Sequence, residues 1–159
     1  MNVKQDKETL INELLLKNYN KYYRMAYSYV HNEADALDIV QESAYKAIFH
    51  ADKLNNLEYA DSWICRIIFN EGIEFLRKNR KYCAELETEV TGKEETYEDV
   101  DLKQAIEALS SKEKAVVVLK FYEDMSLEQI AWIVEENINT VKSRLYRALG
   151  KLKIALTQE

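Results

Sequence analysis

The sequence predicts an all-α protein built as two small helical domains joined by an acidic linker. Three observations carry that prediction. The 159 residues include no proline and only three glycines, where average usage is about 5% and about 7%. A sandwich or barrel, turning every few residues, would use many more of both. Apolar residues recur at steps of three and four along most of the chain, the period of helices with one buried face. The net charge of −6 is concentrated rather than spread: residues 1–81 hold twelve bases and twelve acids, residues 101–159 nine and nine, and residues 82–100 one and seven. The boundaries follow as 1–81, a linker at 82–100, and 101–159. Both flanking segments are neutral, so overall acidity leaves room for local basic patches.

The elements follow in order. Residues 8–30 read as a first helix, with Leu10, Leu14, Tyr22, Met25 and Tyr29 on one face. Asn32 is placed to cap a second helix from about Glu33 to Phe49, its buried side expected at Ala34, Leu37, Val40, Ala44, Ala47 and Ile48. Asp52 to Leu57 is a polar break. A third helix from about Asp61 to Lys81 carries Trp63, Ile64, Ile67, Ile68, Phe75 and Leu76, with Gly72 inside it. Glycine there costs about 1 kcal/mol relative to alanine, which points to close packing. Residues 82–100 are acidic and weakly periodic and fit a solvated tether of about 24 Å as a flexible coil. After a helical stretch at Leu102 to Leu109, Ser110-Ser111-Lys112-Glu113 reads as a capping box opening a helix through Tyr122. Ser126-Leu127-Glu128-Gln129 opens a short helix through Val134, and Asn137 and Asn139 supply turn and cap chemistry before a last helix from about Thr140 to Leu156. Short helix, tight break and longer basic helix is the spacing of a helix-turn-helix.

Several function classes are disfavoured. The longest aliphatic run, Ala115 to Leu119, is far short of a membrane span, and the first apolar cluster follows Lys7 and Glu8, so no secretory segment is expected. Cys65 and Cys83 are expected as reduced thiols, with a cytosolic location. His31 and His50 lack the spacing of metal ligands, and no glycine-rich phosphate loop is present. No catalytic residue, cofactor, metal or small-molecule substrate is therefore expected, and an enzyme is the least favoured class.

The last helix is the most informative. Val141, Leu145, Ala148, Leu149, Leu152 and Leu156 form its apolar stripe, while Lys142, Ser143, Tyr146 and Arg147 fall on another face flanked by Arg144, Lys151 and Lys153. Five bases and no acid lie between Ile138 and Leu156. An exposed basic helix after a capped turn fits the major groove of DNA, with Lys142 or Arg147 donating to base edges and Arg144 and Lys151 meeting phosphate. The third helix ends in four bases, Arg77, Lys78, Arg80 and Lys81, more than its dipole needs. Upstream, Trp63, Arg66 and Asn70 recur at three and four with Tyr59 and Phe69 nearby, equipment for holding unstacked bases; core packing is the alternative for Trp63. Asp35, Asp38 and Glu42, with Gln41, form an acidic stripe on the second helix, either solvated or docked on a basic partner.

These residues are similar to a known family. Asp35 to Glu42, Trp63-Ile64-Cys65-Arg66-Ile67 with Asn70, and Phe75-Leu76-Arg77-Lys78 resemble region 2 of bacterial RNA polymerase sigma factors. Ser126 to Ala131 and Thr140 to Ala148 resemble their region 4. Two such regions on a short linker resemble the extracytoplasmic-function (ECF) group. The resemblance implies a promoter-specificity subunit that binds core RNA polymerase and recognises promoter DNA. Asp35, Asp38, Gln41 and Glu42 would meet the clamp helices of the β′ subunit. Trp63, Arg66, Asn70, Arg77, Lys78, Arg80 and Lys81 would hold the melted −10 element. Thr140, Lys142, Ser143, Arg144, Tyr146 and Arg147 would meet the −35 element while region 4 contacts the β flap. An anti-sigma factor, often membrane-anchored in this family, is the implied regulator. The turn glycine usual in region 4 is replaced here by Glu135-Glu136, and the small residue before Thr140 by Asn139. Two other readings compete. An autonomous regulator would read duplex DNA through residues 126–153, and an adaptor would keep its partners without reading DNA.

Overall fold

The computed structural model describes residues 3–83 and 97–157. The chain divides into two compact units, Met1–Arg80 with Trp132–Val134, and Lys81–Ala131 with Glu135–Glu159. Every regular element among the described residues is helical. Of the linker expected at 82–100, residues 82–83 end one helix and residues 97–100 begin another, while residues 84–96 lie outside the described residues.

In the first unit, α1 (Val3–Lys17), α2 (Tyr19–Val30), α3 (Glu33–Phe49) and α4 (Ala60–Cys83) surround one core, with 3₁₀ turns at Ala51–Lys53 and Leu57–Tyr59 between α3 and α4. Ile11, Tyr22, Met25, Ala26, Tyr29, Ile39, Val40, Ile64, Cys65 and Ile68 are buried in it. Each large apolar side chain so buried contributes about 1.5–3 kcal/mol.

The helix expected over residues 8–30 is two helices, divided at Asn18. Asparagine is a weak helix former, and its amide has a distant partner: Asn18 Nδ2 donates to Asp61 Oδ1 at 3.3 Å. Asp61, in the first turn of α4, also accepts the buried Tyr22 hydroxyl at 2.6 Å and Lys21 Nζ at 2.7 Å. This carboxylate ties α2 to α4. Further along, the Tyr29 ring lies against Phe69 and over Gly72, where an added Cβ would come within 2.9 Å of Tyr29 Cδ2. The glycine is there because α2 packs too closely for any side chain, as its unfavourable position in the helix had suggested.

Asn32 caps α3 as expected, its Oδ1 accepting from the Asp35 N–H at 3.0 Å. The buried face of α3 differs from the sequence expectation. Ala36, Ile39, Val40, Ser43 and Ala47 are buried, whereas Ala34 and Leu37 are exposed. The small residues Ala36 and Ser43 let α3 approach α2, its main neighbour, and that choice turns Leu37 outward.

In the second unit, α5 (Tyr97–Glu107), α6 (Ser111–Val117), α7 (Leu127–Val134, its last three residues belonging to the first unit) and α8 (Ile138–Thr157) follow, and α8 packs on α5 and α6. Ser110 Oγ accepts the Glu113 N–H at 3.2 Å. The return half expected of a capping box is diverted: Glu113 Oε1 accepts the Ser110 hydroxyl and Lys151 Nζ, both at 2.8 Å, joining α6 to α8. The expected helix to Tyr122 becomes α6 plus a π turn at Val118–Tyr122, with the Glu123 N–H donating to the Val118 carbonyl at 3.1 Å. Ala115 to Leu119 are all buried, an apolar run covered on every side. At α7, by contrast, the capping box is complete: Ser126 Oγ accepts the Gln129 N–H at 3.1 Å, and Gln129 Oε1 accepts the Ser126 N–H at 3.0 Å.

Candidate nucleic-acid interface

The turn into α8 is built without glycine. Glu135 takes the left-handed conformation that ends α7, at φ 57° and ψ 45°. Two residues on, Asn137 Oδ1 accepts the Asn139 N–H at 2.8 Å and satisfies the first turn of α8. These two local devices aim a 20-residue helix. Its inner stripe is Val141, Leu145, Ala148 and Leu152, all buried. Leu149 and Leu156, expected on that stripe, are exposed instead: they lie off the seam that α8 makes with α5 and α6.

The outer face carries the expected set. Lys142, Ser143, Tyr146 and Arg147 are exposed, Tyr146 to 69%. Asn139, Thr140, Ser143, Arg144 and Arg147 line a shallow groove along the first three turns. Two cations read from sequence as phosphate contacts have partners inside the protein. Arg144 Nη1 donates to Glu136 Oε1 at 3.3 Å and is 16% exposed. Lys151 is held by Glu113, as described above. Burial pushes the Glu113 carboxyl up, but Lys151 and Ser110 hold it below the ordinary range. Glu136 is also 3.8 Å from Lys112 Nζ. The Glu136 carboxylate is thus balanced by two cations.

In the first unit, α4 presents a second basic surface. Asn70 is exposed, and Trp63 and Arg66 are half-buried in its first turns. Arg77 and Lys78 are exposed near its end; Arg77 Nη2 donates to Glu74 Oε1 at 2.6 Å, and Lys78 Nζ is 3.9 Å away from the same oxygen. Surface pairs of this kind are worth little and exchange readily for phosphate. Arg80 and Lys81 continue the same helix, and their side chains lie outside what the structure describes.

On α3, Asp38, Gln41 and Glu42 are exposed together, while Asp35 is half-buried in the first turn, where a carboxylate favours the helix dipole. The sequence reading missed that this stripe continues into exposed aromatics. Tyr45 and Phe49 are 63% and 62% exposed and stack with ring centroids 5.9 Å apart. Leu37, Gln41, Tyr45 and Phe49 stand at steps of four, and that repeat of large residues opposite the core was the available signal.

A family model described as Sigma-70 region 2 matches residues 14–82, and one described as Sigma-70, region 4 matches residues 99–152. The RNA polymerase sigma factor SigV of Bacillus subtilis is 42% identical over 163 residues, covering 100% of this chain and 98% of that protein. The ECF RNA polymerase sigma factor SigW of the same organism is 28% identical, covering 84% and 82%. Among solved structures, the sigma factor RpoE of Bartonella quintana, in its complex with the anti-sigma factor NepR, superposes with a TM-score of 0.71 at 25% identity, covering 93% of this chain and 97% of that one. With two basic helical surfaces in separate units and both family regions in order, this chain belongs to the sigma-70 family of RNA polymerase sigma factors, in its ECF group, and is a promoter-recognising specificity subunit rather than an enzyme.

Proposed function

We propose that the two units divide promoter recognition between them: residues 101–159 read the −35 element and residues 1–81 hold the melted −10 element, joined by the acidic stretch between α4 and α5. The exposed face of Lys142, Ser143, Tyr146 and Arg147 on α8 carries this reading. A basic helix with an apolar inner stripe, entered through a capped turn, presents its N-terminal half to the major groove. Thr140 and Arg144 border the same face. On α4, Asn70, Arg66 and Trp63 serve the unpaired −10 strand, with Arg77, Lys78, Arg80 and Lys81 along its backbone. The α3 stripe of Asp38, Gln41 and Glu42, with Asp35 at its start and Tyr45 and Phe49 beyond it, docks on the β′ clamp helices of core polymerase, and the second unit meets the β flap. The exposed acids and stacked rings support a partner that is basic as well as apolar. Likeness to a sigma factor solved with an anti-sigma factor supports a regulator of that kind for this chain. The work is cytoplasmic, and no described helix is long and apolar enough to cross a membrane.

Run-off transcription with core polymerase over a library of genomic fragments tests the proposal. Defined start sites are expected only when the chain is added. Lys142→Ala and Arg147→Ala should each cut transcription about tenfold or more, since a base-edge contact carries about 1–3 kcal/mol. Asp38→Lys with Glu42→Lys should lower recruitment to core polymerase. A chain that leaves the start sites of core polymerase unchanged would refute the reading.

A further inference from the structure

Glu136 stands two residues before α8, at the helix end that enters the groove. A helix N-terminus attracts anions, a backbone phosphate or a carboxylate alike. Here the anion belongs to the protein: Glu136 Oε1 accepts from Arg144 at 3.3 Å and is 3.8 Å from Lys112 Nζ. Arg144 also lines the groove with Thr140, Ser143 and Arg147, so its charge borders the reading face. Non-specific attraction to DNA is nearly all phosphate neutralisation, and each cation committed to phosphate adds to it whatever the sequence. A carboxylate that pairs with two such cations, and repels phosphate itself, weakens that attraction. The base-reading side chains Lys142, Tyr146 and Arg147 are untouched by it.

We propose that Glu136 is an electrostatic brake on the second unit, pairing with Arg144 and Lys112 so that α8 holds any duplex less tightly than its cations alone would allow. The proposal rests on α8 being the −35 reader.

The test uses the full chain assembled with core polymerase. Its probes are a promoter fragment found by run-off mapping and a shuffled duplex of the same length and composition. Glu136→Gln should tighten binding to the shuffled duplex about three- to tenfold at low salt and steepen its log–log salt dependence by about one to two. Affinity for the promoter fragment should rise by a similar factor, because a phosphate contact adds to binding whatever the sequence. Glu136→Asp, which keeps the charge, should leave both affinities near their original values. Adding Arg144→Gln to Glu136→Gln should return the shuffled duplex to its original affinity. Unchanged binding of the shuffled duplex by Glu136→Gln, or parallel weakening on both duplexes with loss of helicity, overturns the role of Glu136. Failure of the underlying reading looks different: Arg147→Gln would then leave promoter binding intact.

Discussion

Gly72 shows how a single missing side chain sets the spacing of two helices. Alanine would improve the intrinsic helix propensity of α4 by about 1 kcal/mol. The added Cβ would nevertheless lie 2.9 Å from Tyr29 Cδ2, and the Tyr29 ring is buried against Phe69 with no room to yield. Overpacking of this kind costs about 1–3 kcal/mol, and here it outweighs the propensity gain. Gly72→Ala should therefore lower stability by about 1 kcal/mol in urea unfolding; a rise in stability would show that α2 can move away. Glycine inside a strong helical pattern already pointed to a close neighbour. The identity of that neighbour, 43 residues earlier, was not legible, because the helical period says nothing about which helices meet.

At the scale of the element, the α7–α8 turn combines a strained residue with well-made caps. Glu135 adopts a left-handed backbone that costs a residue with a Cβ about 1 kcal/mol and costs glycine almost nothing. Glu135→Gly should stabilise the second unit by about 0.5–1 kcal/mol, read as a shift in its unfolding midpoint. A loss of stability would mean that contacts of the Glu135 side chain outweigh the strain. The boundaries of α7 and α8 were legible because Ser126, Gln129 and Asn137 act within a few residues of themselves. The break at Asn18 was not, because its cause lies at Asp61. The exposure of Lys142, Ser143, Tyr146 and Arg147 on α8 was legible in the sequence, since a 20-residue amphipathic helix has one apolar side and the opposite side must be wet.

For the whole molecule, each unit has a buried or half-buried carboxylate that ties its helices together, Asp61 in the first and Glu113 in the second. Burial pushes Asp61 up, but Lys21, Tyr22 and Asn18 hold it below the ordinary carboxylate range; Glu113 is lowered in the same way by Lys151 and Ser110. A carboxylate lowered by folding stabilises above the ordinary range, and that stability is lost as pH falls through the lowered value. Thermal midpoints should therefore hold steady from about pH 8 to pH 6 and fall below about pH 4. Asp61→Asn, Glu113→Gln and their combination should flatten the acid limb. An acid limb unchanged in the double variant would place its cause elsewhere. By itself, the sequence determined the all-helical class, the cluster of acids over residues 82–100, the capped turn and the cationic outer face of α8, because period, caps and charge runs are local properties of the chain. Only tertiary structure decided which of two adjacent stripes on α3 is buried, and that Arg144 and Lys151 belong to Glu136 and Glu113. The physical reason is that stripe choice and ion pairing depend on which surfaces come within a few ångströms, a distance that folding sets between residues far apart in the chain.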